Sequence, residues 1–381
     1  MNELLDDRYV EYRIKVREFS EKVIQPIAVE QDEKEEFPVP LAKKMGDAGL
    51  FGIMLPKKYG GQGLDYLSYI IAVEEIARID SSPAATIAAH NSLGINPIYT
   101  FGTEEQRMKY LPGLCTGDKL WAFGLTEINA GSDAKGVETE ANLVDAEWVI
   151  NGSKMFITNC SSSIAAGITL QAITGITNGK KELSAILVDR STTGYSITPI
   201  MGKLMWRAVD NGELRFENCK VPETNLLGKR GEGMKIMLST LDGGRLSIAA
   251  IGLGLAQGAF EMAVNYSQKR KQFGKQLSEF QAISFKLAEM ATKIEMARNT
   301  LYHTCRLKDA GLPFSKQAAM AKLYCSEIAK EVADESLQIH GAFGFLRENH
   351  IERFYRDQRL LQIGEGTSEI LKMLISRHIL S

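Results

Sequence analysis

Near the end of the chain a carboxylate stands between two glycines, in Ile363-Gly364-Glu365-Gly366-Thr367-Ser368-Glu369-Ile370. LLQ precedes the stretch and the helix-like run LKMLISRHIL follows it. Charge beside apolar sequence carries a desolvation cost that something must offset. Taken alone, the eight residues read as a helix N-terminus. Glycine permits the turn, Thr367 or Ser368 caps, and Glu365 or Glu369 complements the helix dipole. Whether the carboxylate does more depends on what else the chain offers.

Four further stretches carry residue types that can hold a ligand. FGLTEINAGSDA, 123–134, brings Thr126, Gly131 and Ser132 together. Small residues let backbone N–H groups approach a ligand and hydroxyls add a short polar grip, although an ordinary β-domain loop has the same composition. KMFITN, 154–159, reads as a buried strand; Phe156, two residues before Thr158, can present a ring face and a hydroxyl to one planar ligand. RKQFGKQ, 270–276, is either a solvated basic helix end or an anion site in which Arg270 grips a diphosphate. QIHGAFGF, 338–345, is a glycine cluster that follows a helix pattern.

Other chemistries lack their signatures. No GxGxxG follows a strand, and there is no GxxxxGK[ST] and no GxSxG. The five histidines, at 90, 303, 340, 350 and 378, form no HxxxH pair, and the five cysteines are scattered without zinc spacing. Lys+Arg number 45 against 47 Asp+Glu, a near-balance that argues against nucleic acid or a membrane surface as the main partner. The N-terminal MNELLDDRYVEYR has neither signal-peptide nor transit-peptide character, and with free thiols this suggests a reducing, cytoplasmic setting. The longest uncharged run, LSIAAIGLGLAQGAF at 246–260, is short and Gly/Ala-rich for a membrane span and suits a buried bundle helix.

Three blocks must position these stretches. With 381 residues, 44% hydrophobic and 24% charged, the chain can bury more than one core. Residues 1–120 read as helices: EYRIKVREFSEKVIQPIA ending at Pro26, YLSYIIAVEEIARID, SPAATIAAHNSLGINPIYTFG and EEQRMKYLPGL. Residues 121–230 read as short strands, among them ETEANLV, EWVING, SKMFITN, ELSAILVDR and YSITPI. Asn151-Gly152, Asn178-Gly179 and Gly194 stand between them as turns, and no helices intervene, so an antiparallel sandwich or barrel is expected. Residues 231–381 return to long helices, roughly 233–267, 278–311 and 315–340 with a shorter last one, the pattern of a four-helix bundle. The fold class is therefore α+β, mainly α.

Together the motifs resemble the acyl-CoA dehydrogenase family of flavoproteins. FGLTEINAGSD is similar to its first signature, and QIHGAFGF through RFYRDQRLLQIGEGTSEI to its second. NGSKMFITN, LDGGR and RKQFGKQLSEFQAISFKLAEM lie between them in family order, and within the family the short-chain, butyryl-type bacterial enzymes are most similar. The resemblance implies FAD at a subunit interface of a homotetramer, a CoA thioester as substrate, and an electron-transfer flavoprotein as acceptor. It implies that Phe123, Leu125, Thr126, Gly131 and Ser132, with Phe156, Ile157 and Thr158, hold the isoalloxazine. It assigns the diphosphate and adenosine to Arg270, Phe273 and Gln281 with Gln338, Gly341 and Ala342, and places Thr367 and Glu369 at the FAD as well. Ser132, Asp242, Arg245, Gly364 and Gly366 would lie beside the acyl-CoA.

Glu365 matches the family's catalytic base. Some members carry that carboxylate one residue before the arginine of LDGGR, where this chain has Gly244. The resemblance thus implies that Glu365 removes the α proton, with an elevated pKa from burial, while the β hydride passes to flavin N5. Gly364 replaces a tyrosine common in straight-chain members, which suggests room for a branched or alicyclic acyl group. Phe156 replaces tryptophan, Ile128 proline, Ala342 glycine and Phe345 tyrosine; Met205 to Asn211 is also unusual. An acyl-CoA oxidase, an enoyl-CoA reductase or a non-catalytic acyl-CoA-binding protein would share the scaffold.

Overall fold

The structure, a computed structural model, describes residues 5–380. The N-terminal block holds seven helices: α1 (Asp7–Phe19), α2 (Ala28–Lys34), α3 (Val39–Asp47), α4 (Tyr66–Ala77), α5 (Ser81–Ala88), α6 (Asn96–Phe101) and α7 (Glu104–Leu114). Local chemistry sets several of their starts. Asp65 accepts from Ser68 N at 2.9 Å to cap α4, Asp80 accepts from Ser82 N at 2.8 Å to cap α5, and Thr103 with Gln106 forms a capping box on α7. Pro26 does not end the first helix. The path widens into a π segment at Ser20–Ile24, tightens to 3-10 at Gln25–Ile27 with the proline in its first turn, and runs on to Lys34.

The central block is one eight-stranded sheet: β1 (Leu120–Gly124), β2 (Glu140–Val144), β3 (Glu147–Thr158), β4 (Ala165–Thr177), β5 (Lys180–Asp189), β6 (Tyr195–Pro199), β7 (Asn211–Pro222) and β8 (Leu226–Leu227). Its order is β6-β7-β3-β2-β4-β5-β8, and β1 also pairs with β4. The expected β domain is present. Within it, β1 and β2 run parallel to β4 and the other pairings are antiparallel. Asn178-Gly179 is the two-residue hairpin turn between β4 and β5, both residues left-handed. Asn151-Gly152 is not a turn. EWVING and SKMFITN form the single strand β3, and Gly152 lies at a bulge where a Cβ would fall 2.5 Å from Thr139 Oγ1. The hairpin before it turns on Asp145-Ala146, at φ 49° and 60°.

The C-terminal block carries α8 (Gly233–Lys269), a small hairpin of β9 (Lys271–Gln272) and β10 (Lys275–Gln276), then α9 (Gln281–Asp309), α10 (Ser315–His340), α11 (Ile351–Asp357) and α12 (Ser368–Leu380). Alone among the described residues, α8 is long and apolar enough to cross a membrane, but it is a core helix, with 78% of its apolar window buried. Cβ atoms at Gly254 and Gly258 would lie 2.2 and 2.1 Å from the backbone oxygens of Glu74 and Arg78, so α8 and the end of α4 meet backbone to backbone. Every residue of α4 is buried. Its Glu75 pairs with Arg17 of α1 at 2.8 Å, and its Glu74 pairs with Arg298 of α9 at 3.0 Å, which ties the first block to the last through buried, hydrogen-bonded charge.

Candidate active site

Glu365 sits in the turn between the 3-10 segment Gln358–Gln362 and α12. Its backbone is left-handed, at φ 52°, and Gly366 follows at φ 102°. A non-glycine residue there costs roughly 1–2 kcal/mol, so the surroundings must hold it. The turn aims the carboxylate at α8. A Cβ at Gly244 would lie 2.0 Å from Glu365 Oε2 and 2.9 Å from Leu93 Cδ2, so alanine at 244 would displace the carboxylate. Oε2 is shielded from solvent and has no hydrogen-bond partner. Burial pushes the Glu365 carboxyl up to about 7, against the opposing pull of the Lys322 and Arg245 cations.

The α8 face opposite carries the LDGGR stretch. Arg245 is buried and pairs with Asp242, which also accepts from Ser315 Oγ at 3.1 Å. Tyr66 OH donates to Gly243 O at 2.6 Å and Ser247 Oγ donates to Gly244 O at 2.7 Å. These contacts hold the helix backbone in place above the carboxylate. Gly364, Gly366 and Thr367 are half-buried in the same turn, and Glu369 is exposed on the first turn of α12.

A second group gathers where β1 leaves the sheet. Phe123 is half-buried at the end of β1, Leu125 is buried, and Thr126 is half-buried, its carbonyl accepting from Met155 N of β3 at 2.9 Å. Phe156 interrupts β3 with φ 61° and is 61% exposed, while Ile157 is buried and Thr158 half-buried. Gly131 and Ser132 are exposed, and a Cβ on Gly131 would meet nothing within 4 Å. Loop and strand are clamped by a buried ion pair. Lys154 Nζ donates to Glu127 Oε1 at 2.6 Å, and Glu127 accepts from Glu138 N at 2.6 Å and Thr139 N at 3.2 Å.

A third group stands on the bundle. Arg270 lies over the Phe343 ring, 5.4 Å from guanidinium carbon to centroid. Phe273, on the β9–β10 hairpin, is 94% exposed, and Gln281, Gln338, Gly341 and Ala342 are exposed as well. These side chains are exposed, and among the described residues no hydrogen bond or ring contact joins them to the Phe156 group.

Three residues that build the site have no place in the motif reading: Lys322, Leu93 and Tyr66. The first had a signal. On α10, Ala318, Ala321, Cys325 and Ala329 form a buried stripe, and Lys322 lies in it. His90 and Asn91 are structural. His90 Nδ1 accepts from Trp121 N at 3.1 Å and Nε2 faces Leu114 O at 2.8 Å, while burial lowers its pKa to about 4. Asn91 spends its amide on Leu50 O, Ile87 O, Gly52 N and Ile53 N.

The chain belongs to the acyl-CoA dehydrogenase family, whose domain order of helices, sheet and helices it shares. Residues 7–118, 122–219 and 231–380 match that family's N-terminal, middle and C-terminal domains. The chain is 46% identical over 366 residues to the probable acyl-CoA dehydrogenase YngJ of Bacillus subtilis (strain 168), covering 96% of each. To the short-chain specific acyl-CoA dehydrogenase of Clostridium acetobutylicum it is 45% identical over 364 residues, again 96% of each. Its fold overlays the butyryl-CoA dehydrogenase of Megasphaera elsdenii with TM-score 0.96 over the full length of both chains, at 41% identity. It overlays a glutaryl-CoA dehydrogenase of Mycobacterium smegmatis solved in complex with FADH2 with TM-score 0.94, at 31% identity, covering all of this chain and 96% of that one.

Proposed function

We propose that this oxidoreductase is an FAD-dependent, short-chain acyl-CoA dehydrogenase in which Glu365 is the base. The observation that carries the reading is the Glu365 carboxylate: shielded, unpartnered at Oε2 and facing Gly244 of α8, a position without a side chain. The residues suit the cofactor. Phe156 and Thr158 form an open ring-and-hydroxyl platform, the space over Gly131 is unfilled, and Arg270 with exposed Phe273 offers a cation and a flat face for a diphosphate-linked dinucleotide. When bound, FAD supplies the two-electron acceptor.

The chain's own part is proton removal and placement. Glu365 takes the proton α to the thioester carbonyl, and burial makes the ionised carboxylate a stronger base than a solvated one. No acceptor among the described residues engages the Glu365 backbone N–H, which leaves it to donate to the thioester oxygen as negative charge grows there. Asp242, Arg245 and Ser132 face the CoA-bearing arm of the substrate. An electron-transfer flavoprotein accepts the electrons, and a homotetramer brings Arg270 and Phe273 of one copy to the platform of another; the exposure of both side chains supports this.

The working form of Glu365 is the ionised one. Activity should therefore rise with pH through an ionisation near 7, since the group is about half charged there. A pH–rate profile of kcat/KM checks this, and a profile flat from pH 5.5 to 8 contradicts it.

Substrate choice follows from Gly364. A Cβ at that position would meet nothing closer than Leu360 O at 3.7 Å, so there is room where family members carry an aromatic ring. We expect branched or alicyclic acyl groups to be accepted beside straight short chains. Turnover of cyclohexane-carboxyl-CoA against butyryl-CoA measures this, and a strong preference for butyryl-CoA removes the ring-bearing substrates.

A further inference from the structure

One buried cation has no place in the reaction as described so far. Lys322 is fully buried on α10, and no ion pair engages it among the described residues. Its ammonium makes one hydrogen bond, to Gly366 O at 2.7 Å. Burying an unneutralised ammonium is costly, and here burial draws the Lys322 pKa down to about 8 while Glu365 partly restores it. A methionine would fill the same volume without that cost, so the charge calls for an explanation.

The turn that Lys322 grips is the one that needs holding. Glu365 and Gly366 are consecutive left-handed residues, at φ 52° and 102°. One face of α10 fastens the flanks of that turn: Ser326 Oγ donates to Leu361 O at 3.0 Å, Gln362 Nε2 donates to Ser326 O at 2.7 Å, and Ser368 Oγ donates to Glu327 Oε1 at 2.7 Å. Lys322, one helical turn before Ser326, reaches the middle of the turn, between the two flanks.

We propose that Lys322 is a positioning residue for the reaction: its ammonium fixes the Gly366 carbonyl, and so the direction of the Glu365 side chain, and its charge favours the carboxylate form of Glu365. The proposal rests on Glu365 being the base. Other charged and titratable groups face the same carboxylate. Arg245 stands on α8 and Tyr66 and Tyr69 on α4, while Glu327 of α10 and Glu369 of α12 act on the Lys322 ammonium itself. Arg245 is already paired with Asp242, which leaves Lys322 as the cation acting on Glu365 that no ion pair engages.

The holoenzyme tests this with Lys322→Gln, which keeps a donor without the charge, and Lys322→Arg, which keeps the charge. In K322Q the midpoint of the pH–kcat profile should rise by about one unit, the order of effect that a nearby cation has on a buried carboxylate. At pH 7 kcat should fall roughly 5-fold, as the ionised fraction drops from about one half to about one tenth with that shift. KM should change far less, and the carboxyl infrared band assigned by its loss in Glu365→Gln should titrate at the same higher pH. K322R should keep the wild-type midpoint. An unmoved infrared and kinetic midpoint in K322Q overturns the proposal, as does an equal rise in K322R. If K322Q does not retain its flavin, the same measurements on Lys322→Met, which also removes the charge, decide, and an unmoved midpoint there overturns the proposal. An active Glu365→Gln would instead overturn the base assignment, whatever the lysine variants show.

Discussion

Glu365→Gln should lower turnover by about 10²–10⁴-fold, the range attributable to a positioned general base. The amide is nearly isosteric, so it fits against Gly244 and keeps the turn, and the FAD absorption spectrum and CoA-ester binding should persist. The same substitution should stabilise the protein at alkaline pH. Burial places the folded-state pKa at about 7 against an ordinary glutamate value of 4.5, so the folded state holds the proton more tightly than the unfolded chain. Between those values the folded state binds more protons, and stability falls as pH rises. Glutamine removes that loss. E365Q should therefore melt higher than wild type at pH 8 and show no such gain at pH 4. Lost turnover with a raised melting temperature separates a missing base from a damaged fold. Equal turnover in the two proteins would place the base elsewhere.

Lys154→Met should be the most damaging change outside the Glu365 turn. Lys154 is fully buried and Glu127 nearly so, and burial lowers the Lys154 pKa to about 8 even with Glu127 against it. Removing the lysine strands a carboxylate that also orders the Glu138 and Thr139 backbone. Breaking a buried pair from one side costs about 3–5 kcal/mol, because the remaining charge is left uncompensated. Chemical denaturation should register this as a lower midpoint. The loop carrying Leu125 and Thr126 is fastened to β3 through this pair and the Met155 N–Thr126 O bond, so FAD should also be lost on dilution. Adding Glu127→Gln should recover a large part of the stability, since the orphaned charge disappears. A K154M protein as stable and as yellow as wild type would show that the clamp does not hold the platform.

Much of this molecule was legible in its residues. The three long helices of the last block, their turns and the strand-rich middle followed from period and punctuation, because an apolar stripe must be buried whatever it packs against. The motif set was enough to identify the family and to single out Glu365. What misled local reading was contact between distant segments. Asn151-Gly152 has hairpin chemistry, yet Thr139 crowds the glycine and the strand continues. Pro26 has stop chemistry, yet a π segment before it lets the helical path continue.

The proposed base shows the same division. Sequence alone determined that a carboxylate lies in a glycine-flanked turn before a helix, and that position 244, just before the arginine of LDGGR, is a glycine and carries none. Only the tertiary structure decided that Gly244 and Glu365, 121 positions apart, meet face to face, that Oε2 is sealed from water, and that Lys322 enters from a third helix. The physical reason is that spacing along a chain sets periodicity and local turns, whereas desolvation and the field at a buried carboxylate depend on which segments pack around it.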